Sequence, residues 1–334
     1  MANGAIDVTA FAEALGVVFK KDRKEILQGI FTEDDPIIKA CRTVPNIQKG
    51  QVYVRSTGEI SEVAQGWYGS KYTHKGDITL SPSSILQYGH KVNVSLFPTD
   101  LMGSFIGEDW WDETKELQYG PFVRWALQNM ILLKLKDDHI YKQLWAGSYV
   151  DHSGTPTVAA DAADAMNGLK YILQNGDYHG LHFANHITCD LSTDDAETLY
   201  ERVNFAVKSI PEKYRFSVPM DMFMSLTKQE LYWAGRDIVT GVRFRTDDTD
   251  KNKIPHTNIS LSGSPSMTGT NDLFVSRKGN LVRLIDKTGI DGQMRTQVAD
   301  YEVKVISNPY GLAYGFDYLE EAWTNLEVGS GSGS

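Results

Sequence analysis

The chain has 334 residues, of which 41% are hydrophobic and 23% charged. That length supports one large or two medium domains with real cores, and the balance excludes a disordered or fibrous protein. The formal net charge of −10 and the scatter of Lys and Arg exclude a general electrostatic grip on nucleic acid.

Helical spacing of Phe11, Leu15, Val18 and Ile26 predicts one or two short helices between Asp7 and Gln28. The densest basic cluster, Lys20-Lys21-Asp22-Arg23-Lys24, is interrupted by an acid and reads as a solvated helix face. Pro36 and Pro45 punctuate an irregular stretch. From Gln51 to Phe97 the period changes to two: Val52 and Val54, Ile78 and Leu80 after a Gly76-Asp77 turn, then Val92, Val94 and Leu96. Between these strands lies a segment rich in Gly, Ser, Trp and Tyr. A long antiparallel arm is the simplest reading. A two-stranded arm is marginal in water, so it needs another surface to lie on. Trp67, Tyr68 and Tyr72 in this segment suit stacking on sugars or bases, or a subunit contact. Aromatics enrich interfaces, and the arm geometry favours the contact.

Gly120-Pro121 opens the clearest helix, with Pro at its first position. It is expected to reach Trp145, a span of about 35 Å. Val123, Trp125, Leu127 and Ile131 fall off its main stripe, so it is buried on more than one side. Trp110-Trp111 just before it is read as core packing. Val158 to Leu173 reads as an Ala-rich helix stopped by Asn175-Gly176. Thr193 is the expected cap of the next helix, with Asp194, Asp195 and Glu197 in its first turn and Pro211 at its end. Phe216, Val218, Met220, Met222 and Met224 alternate as a strand, and Thr227 with Glu230 suggests a capping box. Gly241 to Ser276 is strand and loop. Leu281 to Leu326 returns to strands through Val303, Val305, Leu312, Tyr314 and Phe316. There is no internal repeat.

Cys41 and Cys189 are too few for a disulfide framework and fit a reducing cytoplasm. No apolar run approaches the roughly 18 residues that span a bilayer, and neither a signal peptide nor a membrane partner is expected. Gly329 to Ser334 reads as a flexible linker.

The order of elements resembles the Hong Kong 97-type capsid fold, shared by major capsid proteins of tailed bacteriophages and by encapsulins. The more specific likeness lies in Gly76-Asp77-Ile78-Thr79-Leu80-Ser81-Pro82 with Val92-Asn93-Val94-Ser95-Leu96, and in Asn271-Asp272-Leu273-Phe274-Val275 to Gly279-Asn280-Leu281. Tyr301-Glu302-Val303-Lys304-Val305 and Gly311-Leu312-Ala313-Tyr314-Gly315-Phe316 look like the closing strands of capsid proteins from Bacteroides-type phages. The resemblance implies an α+β fold in this order: an N-terminal arm (1–48), an extended β-hairpin loop (49–97), a peripheral domain with a long spine helix (98–150), an α/β axial domain (151–289), return strands (290–328) and the linker (329–334). It implies a non-enzymatic major capsid protein, self-assembling into an icosahedral shell that encloses DNA. The implied partners are further copies of the chain, with scaffolding, portal and decoration proteins. Assembly would take place in the host bacterial cytoplasm and the product is a virion capsid. The stretch before the arm is too short for a cleaved scaffolding segment, which implies a separate scaffold or a mature form. The alternatives are an encapsulin-like cage and a soluble α/β metal-binding enzyme.

The enzyme alternative rests on His179, His182 and His186, with Cys189 and Asp190 beyond, which are ligand types for zinc or iron. Their spacing matches no common finger or zincin pattern, and ordinary loop histidines are the preferred reading. Asp247-Asp248-Thr249-Asp250-Lys251-Asn252 lacks the Gly and the bidentate Glu of a calcium loop and is read as solvated. Gly263-Ser264-Pro265-Ser266 has no following P-loop Lys, and no G-x-S-x-G elbow occurs. No catalytic residue, cofactor or metal is therefore assigned. The candidate site residues are the interface aromatics Trp67, Tyr68 and Tyr72.

Overall fold

The computed structural model describes residues 8–21, 34–60, 64–65, 67, 69, 74–97, 127–154, 159–241, 252–286, 294–300, 302–307 and 310–329. Helix α1 (Val8–Lys21) carries the expected apolar spacing and buries Ala12, Ala14 and Leu15. It lies against β11 (Met294–Ala299), where the Thr296 hydroxyl donates to the Ala12 carbonyl at 3.2 Å. β11 pairs with β12 (Glu302–Ser307), and β12 with β5 (Asn93–Leu96), both antiparallel. Val303 opposite Leu96 and Val305 opposite Val94 give this three-stranded sheet its apolar face.

A second sheet runs β1 (Arg42–Pro45), β10 (Leu281–Ile285), β13 (Tyr310–Phe316), β4 (Tyr88–His90). Side chains alternate across a strand, so β13 has two very different faces. Tyr310, Leu312, Tyr314 and Phe316 line one, and Gly311, Ala313 and Gly315 the other. The small face admits β3 (Ile78–Leu86). A Cβ at Gly315 would stand 2.7 Å from Ile85, and one at Gly311 would stand 2.4 Å from the Gln87 amide. The large face receives the long helical segment, in which π-helical turns Leu127–Leu132 and His139–Leu144 flank α-helical Leu133–Asp138. There the Tyr314 hydroxyl meets His139 Nε2 at 2.8 Å, and Gln143 holds His139 Nδ1 at 3.1 Å. The segment is buried at Ile131, Leu132, Ile140 and Leu144 and exposed at Met130, Leu133 and Tyr141; residues 121–126 of the expected helix, with Val123 and Trp125, lie outside the described residues.

The third sheet runs β6 (Asn185–His186), β14 (Ala322–Thr324), β9 (Leu273–Arg277), β7 (Met220–Ser225), β8 (Ile259–Ser264). Helices Ala196–Ser209 and Leu226–Thr240 cover it, meeting where Gly235 sits against the Ala196 carbonyl at a distance that excludes any side chain. Trp145, at the end of the long helix, joins this sheet to the second one. Its ring stacks on Phe274 at 5.4 Å, Phe274 stacks on Phe223 at 4.9 Å and meets Phe316 edge-on at 6.2 Å. Its indole N–H donates to Asp272 at 2.9 Å, and Lys170 reaches the same carboxylate oxygen at 2.8 Å.

Several local expectations are corrected. The N-cap of Ala196–Ser209 is Asp195, which accepts from the Thr198 N–H at 2.9 Å; Thr193 sits two residues before it, accepting from the Asp195 N–H at 3.1 Å. Ser225, not Thr227, caps Leu226–Thr240. Phe216 belongs to the short helix Glu212–Ser217, because Pro211 starts a helix there and the strand begins only at Met220. The Ala-rich stretch does not form one helix: a 3₁₀ turn at Ala162–Ala165 is followed by helix Leu169–Asn175. Extended Met166 and Gly168 separate the two, and Gly168 packs so closely on the Trp145 and Gln143 carbonyls that a Cβ would clash.

His90 and His139 are both buried, and desolvation lowers each pKa to about 4. An unfolded histidine titrates near 6.5. Between those values the unfolded chain binds protons that the folded chain refuses, so acid favours unfolding. Stability is expected to fall as pH drops from about 6.5 to about 4, by up to roughly 3 kcal/mol per histidine. Urea midpoints measured across this range check it, and His139→Gln should flatten the slope by about one proton's worth.

Candidate assembly surface

The arm is a nine-residue ladder between β2 (Val52–Ile60) and β3, in register from Val52 opposite Leu86 to Ile60 opposite Ile78. β-Branched residues and alternation make these strands. The segments Tyr88–His90 and Asn93–Leu96, grouped with the loop by their period, pair instead with β13 and β12. Directly opposed residues share a face, so Tyr53, Arg55 and Ile85 turn to the body while Val54, Pro82, Leu80 and Ile78 turn away.

The body-facing side is tied down at its root. The Asp317 carboxylate is buried and takes both Arg42, at 2.8 and 3.0 Å, and Arg55. Arg55 also lies over the Tyr318 ring at 5.0 Å, and Arg277 covers that ring at 5.1 Å. The outer edge of β3 is tied separately. Ser84 turns its backbone away from β2: its N–H and hydroxyl donate to Asp177 at 3.1 and 2.9 Å, and its carbonyl accepts from the Tyr178 N–H at 3.1 Å. Two residues earlier, Pro82 points outward too, so its missing N–H removes no ladder bond. Its carbonyl meets His182 Nε2 at 3.0 Å, and His182 Nδ1 contacts Glu320.

Beyond Arg55 and Pro82 the arm overhangs. Leu80 is 65% exposed, Ile78 67% and Trp67 86%, and at the root Val54 is already 51% exposed. Tyr68 and Tyr72 lie outside the described residues. Elsewhere the same chain carries an apolar groove of about 400 Å³ between β5 and the long helix, lined by Val94, Leu96, Phe97, Met130, Ile131 and Leu135.

The three histidines face different partners. His182 bridges the arm to Glu320, His186 Nδ1 meets the Leu326 carbonyl at 2.9 Å, and the His179 ring lies tilted against Tyr178 at 5.0 Å. Among the described residues no group of three or more His, Cys, Asp or Glu is placed to hold a metal ion. Burial pushes the Cys41 and Cys189 thiols up to about 12, far from a reactive thiolate. Ser264 and Ser266, from the glycine-containing loop, bind the buried carboxylate of Asp35, whose Oδ1 also accepts the Ile37 N–H at 2.8 Å. Residues 247–251 of the acidic loop and Trp110-Trp111 lie outside the described residues. The sequence reading missed Asp317, Asp177 and His182 as the fasteners of the arm, because each acts on a partner more than 90 residues away.

No family model matches the chain, and no curated protein matches it. Solved structures do. A chain from the satellite phage P4 procapsid, a structure that includes the size determination (Sid) protein, superposes with a TM-score of 0.51 at 14% identity, over 93% of this chain and 92% of that one. The cyanophage A-1(L) capsid asymmetric unit gives 0.48 at 12% identity over 92% and 93%, and Mycobacterium phage Ogopogo 0.46 at 13% over 86% and 90%. The chain therefore has the Hong Kong 97-type capsid fold.

Asp317→Asn leaves two arginines with a weaker acceptor. Both arginines are partly solvated, so the expected loss is about 1–3 kcal/mol in denaturant unfolding. In the unassembled chain, hydrogen exchange should show the amides of Tyr53, Arg55 and Ser83 well protected and those of Gly58 and Ser81 exchanging faster.

Proposed function

We propose that this chain is a phage major capsid protein that self-assembles into an icosahedral shell of pentameric and hexameric capsomers enclosing DNA. The observation that carries this reading is an arm locked at its root and apolar where it overhangs, on a chain whose fold matches a procapsid chain along 93% of its length. An exposed apolar strand row is an aggregation liability for a monomer. It becomes useful when a neighbour covers it. A ridge on one surface and a groove on another make a heterologous contact, which closes into rings when the rotation closes. Trp67, Tyr68 and Tyr72 are proposed to lie in that contact. Each large apolar side chain covered yields roughly 1.5–3 kcal/mol before ordering costs. Repetition over a closed shell makes these modest terms decisive.

The domain organisation follows the same reading: an N-terminal arm to residue 48, the extended loop, a peripheral domain built around the long helix, an axial domain formed by the sheet containing β7–β9, and return strands after residue 289. Scaffolding, portal and decoration proteins are the expected partners, with assembly in the host bacterial cytoplasm. No catalytic role is assigned. The histidines that supported a metal enzyme are engaged separately, in holding the arm and the carboxyl-terminal segment.

The purified chain should form closed shells or capsomers by sedimentation and negative-stain microscopy; a single monomeric species at high concentration, in low and high salt, would refute the reading. Replacing residues 59–75 with a short Gly-Ser turn should leave a cooperatively melting chain that makes no shells. Normal assembly of that variant would show that the arm is not the clamp. An acidic chain neutralises few phosphates, so duplex DNA should bind more weakly than about 1 μM at physiological salt, and less still as salt rises.

A further inference from the structure

A cleft of about 610 Å³ opens where the arm root meets helix Leu169–Asn175. That volume is typical of a ligand site. Tyr88, Tyr149, Tyr171 and Tyr178 stand around it, over a floor that includes Phe316 and Leu319. Two of the rings are held in place by a neighbouring side chain. Asn167 donates to the Tyr88 hydroxyl at 2.7 Å and accepts the Tyr149 N–H at 2.8 Å, which sets those two rings 4.7 Å apart. Tyr178 is fixed through its N–H bond to Ser84 and through Asp177 beside it. One wall, Tyr88 with Tyr149, is therefore placed before any ligand arrives, which lowers the ordering cost of binding, while the Tyr171 and Tyr178 rings opposite are exposed.

Its chemistry is selective. The hydroxyls of Tyr149, Tyr171 and Tyr178 have no hydrogen-bond partner among the described residues. Asn175 spends its N–H on the Tyr171 carbonyl, which leaves its side-chain oxygen as an acceptor. Among the described residues no Lys, Arg or Glu lines the cleft. The one carboxylate, Asp177, already accepts from the Leu181 and His182 N–H groups and from the N–H and hydroxyl of Ser84. An anionic ligand would meet no fixed positive charge there, His179 being the one lining group that can become cationic. Tyrosine faces carry negative potential and attract C–H groups, while their hydroxyls both donate and accept. Pyranose rings offer that combination: an apolar C–H face with hydroxyls at the rim. A proline-rich peptide also favours aromatic grooves, but its backbone offers mainly acceptors and would leave the Asn175 oxygen unmatched.

We propose that this cleft binds a neutral carbohydrate chain, stacked on Tyr171 and Tyr178 and hydrogen-bonded by the tyrosine hydroxyls and Asn175. The test is saturation-transfer NMR on the whole purified chain with maltohexaose, cellohexaose and an N-acetylglucosamine hexamer, beside a heparin hexasaccharide and decaproline. At least one neutral hexasaccharide should bind saturably, and heparin and decaproline should not. Tyr171→Ala and Tyr178→Ala should each weaken binding roughly tenfold, and Tyr171→Phe less. Asn175→Ala supplies a second variant should either tyrosine change disturb folding, which circular dichroism would reveal. No transfer to any neutral hexasaccharide, equal binding of decaproline or heparin, or binding indifferent to every variant would overturn the proposal. The readout does not depend on assembly, so a chain that binds sugar without forming shells, or the reverse, separates this inference from the proposed function.

Discussion

The buried carboxylate of Asp317 holds Arg42 from β1 and Arg55 from the arm at the point where β13 leaves one sheet for another. A carboxylate removed from water must be matched, and here two guanidinium groups match it at once. The neighbouring turn is fixed by Asn280, whose side chain accepts from the Tyr318 N–H at 2.8 Å and donates to the Tyr318 carbonyl at 2.9 Å. β9 passes into β10 through Lys278–Asn280, beside the place where β13 passes into β14. Both crossings between the two sheets therefore occur at one location, and the arm is riveted to it.

The second constraint is steric. β13 has only Gly and Ala on one face and Tyr, Leu, Tyr and Phe on the other. The bare face lets the arm root approach until Ile85 and Gln87 touch backbone. The crowded face meets the long helix through His139 and Gln143. Any side chain at Gly311 or Gly315 would push the arm root off the sheet. The same strand thus decides how near the arm lies and where the helix runs.

These features suit a subunit that must present one rigid element to a neighbour. The root is over-determined by charge pairs, backbone bonds and close packing, and the overhang carries exposed apolar residues with few local partners. Such an element is stiff at its base and apolar at its far end. The chain's negative charge limits its affinity for nucleic acid.

Period-two and helical spacing, which depend only on neighbouring residues, already determined most of the described strands, the helical run from Leu127 to Leu144, the arm and the order of elements that matches the fold. The α+β class was legible for the same reason. What tertiary structure decided was everything set by distant partners. Asp195 and Ser225 displaced the expected caps because the helix starts depend on what the preceding strand and loop pack against. Gly168 broke the Ala-rich stretch because the carbonyls of Trp145 and Gln143 approach it. His182 reads in sequence as one of three clustered histidines, yet its partners are Pro82 and Glu320. Asp317 has no local signature at all; its importance comes from arginines some 262 and 275 positions away. Spacing along a chain records which face a residue takes, but a buried charge finds its partner only once the sheets have closed around it.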